Sequence, residues 1–463
     1  MIKHTLWVAA LALATTAACK DDSGLTGDDV ADVDAAPQPD APPGITFVDV
    51  AAGDITTDTT WTKNTVYTLK GYVFVVGSTL TIEPGTVIKG DAGSALTITS
   101  TGRIVAAGTA AEPIVFTSSN SMPMSGDWGG LVMLGQAPIN VTGGSNQIEG
   151  FPTSLGDRVR YGGTAATHDC GTLRYVCIEY AGFELAPGNE LNGLTLGACG
   201  SGTTVSYVQS HLGLDDGIEV FGGAVKLDHL VITQPDDDGL DWDLGWTGRA
   251  QFVVVQQKAG RGDKGIEADN HPTVFSATPR SAPELWNVTL VGGDGPTTDK
   301  RQGGLHLRRG TAVKLSNAIV AYWNQFGLDV DGLDSVGQVG AALTVQHTYF
   351  VKSTSATAVW PADFDRIKVS SNPDVFSQND CQSPSMNCLV EETVFGAAAT
   401  NHVDIDVQLG APKDLAAPNW RPATGSPALA GCATPPSGLD TTATYCGAFG
   451  ATDWTAGWAR FGN

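Results

Sequence analysis

The chain reads as an all-β fold in which a single chain coils on itself, a parallel β-helix. Three observations lead there. The 463 residues include 57 Gly and 24 Pro, too many turn-formers for a helical protein. No stretch of ~10–12 residues carries an amphipathic helical period, while short runs of alternating apolar and polar residues recur throughout. A glycine-led motif also returns at intervals close to one solenoid turn.

Taken from the amino terminus, Met1 to Ala18 has the form of a secretory signal. Lys3 and His4 form its positive end, Leu6 to Ala14 its apolar stretch, and Thr16-Ala17-Ala18 the small residues before Cys19. Small residues ending at a cysteine resemble the lipobox of bacterial lipoproteins, although Thr16 stands where that motif prefers Leu. Lipidation at Cys19 would anchor the chain durably through its acyl chains. Lys20, not Asp, follows, so nothing resembles an inner-membrane retention signal. The expected address is the cell envelope, as an outer-membrane lipoprotein facing the periplasm or the exterior. Residues 19–44 are rich in Asp, Ala and Pro and almost devoid of large apolar side chains, so they read as a tether. Residues 45–463 form the expected β-helix domain. No later segment offers ~18 uninterrupted apolar residues for a spanning helix.

The strands begin near Thr59. Leu80-Thr81-Ile82 is followed 16 residues on by Leu96-Thr97-Ile98, then by Arg103 to Ala107, Ile114 to Ser118 and Leu131 to Leu134. The clearest repeat occupies the middle: Asp216-Gly217-Ile218-Glu219, Asp238-Gly239-Leu240-Asp241, Lys264-Gly265-Ile266-Glu267, Gly303-Gly304-Leu305-His306 and Phe326-Gly327-Leu328-Asp329. The glycines are separated by 22, 26, 39 and 23 residues. Three intervals suit one turn; the interval of 39 suits one turn plus an insertion, placed at His271 to Pro283. A sandwich or propeller is the competing all-β reading, but the single-strand repeat lacks a paired-hairpin or four-strand rhythm.

Several longer phrases carry a resemblance. GSTLTIEPGTVIKG, PIVFTS, GDWGGLVMLG, VCIEYAG, LNGLTLGACGSGTTVSYVQS, DDGIEVFGG and the terminal YCGAFGATDWTAGW are similar, in order and wording, to a family of secreted bacterial lipoproteins. That resemblance runs from about Val66 to the end and implies a right-handed parallel β-helix at the cell surface. Its members are largely uncharacterised, so it implies no activity. Cys177 and Cys199 depart from the pattern, which has Arg and Val there.

Setting Cys19 aside, seven of the eight cysteines remain, an odd number for an exported chain. Cys381 with Cys388, and Cys432 with Cys446, are near neighbours in loop-like sequence. Cys170 and Cys199 each stand just ahead of equivalent strands in consecutive turns, which favours their pairing. Cys177 is then left over, with a pairing of its own still open. No CxxC or zinc-type spacing occurs, so structural bridges are expected.

The formal charge of −23 argues against nucleic acid and anionic membrane surfaces as principal partners and favours cations, or basic or neutral ligands. Stacking the repeats places Ile218, Leu240, Ile266, Leu305 and Leu328 on one facing. Alternation then puts Glu219, Asp241, Glu267, His306 and Asp329 on the other. Two residues further along run Phe221, Asp243, Asp269, Arg308 and Asp331. Carboxylates one strand spacing apart repel unless a cation intervenes. Asp241, Asp243, Glu267 and Asp269 are accordingly the candidate Ca²⁺ ligands, no other cofactor being indicated. The competing reading is a solvated acidic face with DDG segments as turns.

Parallel β-helices include pectin-degrading enzymes, so Asp241, Glu267, His306 and Arg308 are the candidate catalytic groups if the chain is a polysaccharide lyase or glycoside hydrolase acting on uronate-containing polysaccharide. Asp215-Asp216-Gly217 resembles the paired Asp of polygalacturonases, but no Gly-His-Gly follows, and Arg366-Ile367-Lys368 lies far downstream. There is no GxSxG, HExxH or GxxxxGK motif. Trp128, Trp246, Trp323 and Trp360 are expected to pack rather than stack on sugars, and His211, His229 and His347 to be hydrogen-bonded structural residues. The expectation is therefore a non-catalytic envelope module that binds a glycan or a surface protein, attached to the membrane through its lipid. The enzyme is the alternative.

Overall fold

Ten short parallel strands stack in one sheet from Gly53–Ile55 to Phe326–Val330, joined in register along its length. The computed structural model describes residues 44–186, 189–296, 300–354, 359 and 391–462. Trp360, Arg366-Ile367-Lys368, Cys381, Cys388 and Cys19 lie outside them.

A second, 15-stranded sheet contributes two faces. Its long strands, such as Thr204–His211, Lys226–Thr233 and Arg249–Gln256, each contain one residue that is skipped in the ladder: Tyr207, His229 and Phe252. These residues have φ of 54°, 54° and 60°. A left-handed residue inside a strand turns the chain through a corner. Strand Gly171–Glu179 shows the same division, because its first half pairs with Arg103–Ala107 and its second with Ile114–Ser118. Each turn therefore has three strand segments, and the all-β right-handed parallel β-helix expected from the repeat is the fold.

The repeat register is as read from the sequence. Ile218, Leu240, Ile266, Leu305 and Leu328 are successive ladder partners, all fully buried. Burying each such side chain contributes roughly 1.5–3 kcal/mol. The preceding glycines have a different role from the turn expected of DDG: Gly217 and Gly304 have ordinary negative φ, but a Cβ at Gly217 would collide with the Ile232 side chain and one at Gly304 with the carbonyl of Gly327. Close approach, not a left-handed turn, requires glycine here.

Cys170 and Cys199 form a disulfide with Cα atoms 5.9 Å apart, and Cys432 and Cys446 one with 5.7 Å. Cys177 is a buried free thiol. Trp128, Trp246 and Trp323 are buried, and each indole N–H donates to a backbone carbonyl, of Glu179, Val225 and Leu290 respectively. His211 is buried against Thr233, and His229 is stacked 4.2 Å from Tyr207. The closing segment binds back across the long sheet: Gln209 exchanges hydrogen bonds with Arg460, and Gln251 with Asp440. Trp454 and Trp458 meet the stacked Tyr207 edge-on. Among the described residues no helix is long and apolar enough to cross a membrane.

Candidate functional site

The ten-stranded sheet presents the side chains that face away from the leucine column to two adjoining clefts, one of about 640 Å³ lined by Glu267, His306 and Arg308, and one of about 460 Å³ lined by Glu219, Asp241 and again Arg308. Glu219, Asp241, Glu267, His306 and Asp329 are consecutive ladder partners, so the column expected from parity exists. Asp241, Glu267 and Asp329 are partly exposed, while the other two members are buried. Glu219 is 7% exposed and His306 2%.

A second line of groups, one position before the repeat glycines, joins it. Asp216 accepts a hydrogen bond from the Asp238 amide at 2.9 Å, and Asp238 in turn accepts from the Lys264 amide. Side-chain ligand atoms of Asp216, Glu219 and Asp241 lie within 4.8 Å of one another, as do those of Asp238, Asp241 and Glu267. Asp241 belongs to both groups. Its Oδ1 is buried without a hydrogen-bond partner. Burial first, and then neighbouring carboxylates, push the proton affinities of Asp216, Glu219, Asp238 and Asp241 well above the ordinary carboxylate range.

The next turns are balanced by cations. Arg308 pairs with Glu267 and, at 2.8 Å, with Asp269, which also receives Arg309 at 2.6 Å. Lys264 is buried with its ammonium 2.6 Å from Asp263 and 3.7 Å from Glu267. His306 Nδ1 is 3.4 Å from Glu267, and its Nε2 is 3.5 Å from Asp329 and 3.6 Å from Asp331. Burial works to neutralise Glu267, but hydrogen bonding to His306 and the charges of Arg308 and Lys264 bring its pKa down to about 2. Burial likewise opposes the His306 charge, but its acidic partners raise the pKa to about 9.

Of the four candidate Ca²⁺ ligands, Asp241 and Glu267 thus stand together, joined by Asp238. Asp269 is turned to two arginines, and Asp243 lines the cleft of about 460 Å³ with Asp241, Asp269, Glu149 and Tyr161. Asp243 is pushed up to about 7, mainly by burial and then by Asp269. The four catalytic candidates converge: Glu267 touches both His306 and Arg308, and Asp241 lies one ladder position from Glu267.

Sequence reading assigned no role to Lys264, Arg309 or Glu149. Lys264 carried a legible signal, because it occupies the Asp216 and Asp238 position of the repeat. Glu149 had none, coming from an irregular excursion between two strands.

The stacked turns, with an acidic and arginine-bearing cleft on one sheet, can be compared with known proteins. No curated protein and no solved structure matches the chain. One family model does, a pectate-lyase like beta helix domain, over residues 53–385. That span takes in the acidic column, the basic rung and the strands holding them, and the chain belongs to the pectate-lyase-like β-helix family.

Proposed function

We propose that the chain is an exported, lipid-anchored envelope protein whose cleft holds a divalent cation and uses it to bind an acidic glycan. The observation that carries this reading is Asp241. It is shared by two carboxylate groups of metal-binding dimensions and has a buried oxygen with no partner. All the donors are carboxylate oxygens, which suits Ca²⁺, a hard cation that takes 6–8 oxygen ligands at ~2.3–2.6 Å. A uronate carboxylate could complete such a shell. The signal-like stretch ending at Cys19 and the tether to residue 44 support the envelope address.

Binding is preferred to turnover because the cations of the cleft are not in a state to act as bases. Lys264 and Arg308 are held charged by Asp238, Glu267 and Asp269, and His306 remains protonated through neutral pH. The enzyme reading rests on Asp243, whose carboxyl titrates near neutrality and so matches a general acid or base.

Calorimetric titration of the metal-free protein tests the first reading. Saturable heat with Ca²⁺ is expected, with its loss in Asp241→Asn. No heat at millimolar Ca²⁺, with no rise in melting temperature, would refute cation binding. Unsaturated or reducing-end products released from polygalacturonate would favour the enzyme.

A further inference from the structure

The insertion between the Lys264–Ala268 and Glu284–Val291 strands places an exposed phenylalanine beside this charged cleft. Phe275 is 38% exposed, and Leu333, from the loop that follows Phe326–Val330, is 63% exposed. Both line the same cleft as Glu267, His306 and Arg308.

Single exposed apolar residues are ordinary. These two differ in how firmly their backbones are held. The Phe275 carbonyl accepts hydrogen bonds from Asn270 Nδ2 at 3.0 Å and from the Arg280 guanidinium at 3.2 Å. Asn270, fully buried, also accepts from the Ser281 amide at 2.7 Å, which closes the loop on itself. The start of the loop is held by His271 Nδ1, which accepts from the amides of Thr273 and Val274. Arg280 also donates to the carbonyl of Gly310, while the Gly310 amide donates to buried Ser335 Oγ at 2.9 Å, two residues after Leu333. Gly310 therefore ties both loops to the rung carrying Arg308 and Arg309. It has φ of +83°, and a Cβ there would strike the Phe275 carbonyl.

The geometry points to Phe275, with Leu333, as an apolar wall that receives the carbon-bound hydrogen face of a sugar ring while the ring's carboxylate reaches the charged floor. This rests on the glycan reading above and adds to it the residues that set ring specificity. The occupant follows from what the cleft offers. A pyranuronate has one apolar face and an anionic edge, matching an aromatic side chain on a tied-down loop beside a floor that carries Arg308 and Arg309. A flexible peptide would lose more conformational entropy on meeting this wall than a rigid sugar ring does.

The test uses full-length processed protein with Ca²⁺ present and oligogalacturonate as the probe, read by calorimetry. Wild type is expected to bind, Phe275→Ala to bind roughly tenfold more weakly, and Phe275→Trp to retain affinity. Ca²⁺ affinity measured without sugar should be the same in all three. Equal sugar affinity in wild type and Phe275→Ala would overturn the wall and leave the cation site standing. Absence of oligogalacturonate binding by wild type would overturn both. A Phe275→Ala variant that loses Ca²⁺ binding or melts early would assign the residue to structure and also overturn the wall.

Discussion

Replacing Asp243 by Asn should stabilise the metal-free protein at neutral pH and leave it unchanged in acid. Asp243 is half-buried, near Asp269, and its carboxyl rises from an ordinary 3.8 to about 7. The folded state therefore binds this proton more tightly than the unfolded chain, and stability falls as pH climbs from about 4 towards 7. A shift of that size, at ~1.36 kcal/mol per pH unit, corresponds to on the order of 4 kcal/mol lost across the window. Asn retains the oxygen that accepts the Leu244 amide, a bond of 2.6 Å, so the substitution removes the charge without removing the contact. Urea unfolding in chelator at both ends of the window measures the difference. The expected result is near-equal stability at the acid end and a variant advantage of a few kcal/mol at the neutral end. An identical wild-type-to-variant difference at both pH values would refute the reasoning, since a charge penalty must vanish once the carboxyl is protonated.

Glu267→Gln should have the opposite sign, because it leaves His306, Arg308 and Lys264 short of a buried counter-charge. A loss of ~3–5 kcal/mol is expected by urea unfolding at pH 7. The depressed Glu267 pKa contributes stability that is present above the ordinary carboxylate range and lost as pH falls towards 2, so the variant's deficit should shrink in strong acid. Leu305→Ala, in the middle of the buried column, should cost ~2–5 kcal/mol, read as a lowered denaturation midpoint with Ca²⁺ absent. Cys432→Ser with Cys446→Ser opens a bridge spanning 14 residues and should cost ~3 kcal/mol, measured against wild type under non-reducing conditions.

Much of this architecture was legible in one dimension. Alternation has a strict period of two, so once Ile218, Leu240, Ile266, Leu305 and Leu328 are aligned, the facing of Glu219, Asp241, Glu267, His306 and Asp329 is settled by covalent geometry. The same register argument paired Cys170 with Cys199. The insertion between His271 and Pro283 was visible as an over-long interval, but that it would hold Phe275 beside the floor was not. Its position depends on local bonds to the Phe275 carbonyl from Asn270 and Arg280, and on Gly310, which is remote in sequence and meets Arg280 only after the turns have stacked.

Facing, register and fold class thus follow from the sequence alone, because they depend on local periodicity and on contacts between equivalent positions of neighbouring turns. The state of each charge is a tertiary property. Asp243 and Asp269 occupy equivalent positions in the sequence pattern and line the same cleft, but Asp269 meets Arg308 and Arg309 while Asp243 accepts the Leu244 amide. Long side chains choose among several partners within reach, and burial sets what each choice is worth. Only the folded turns bring ligand atoms of Asp241 within 4.8 Å of those of Asp216 and Glu219 on one side and of Asp238 and Glu267 on the other.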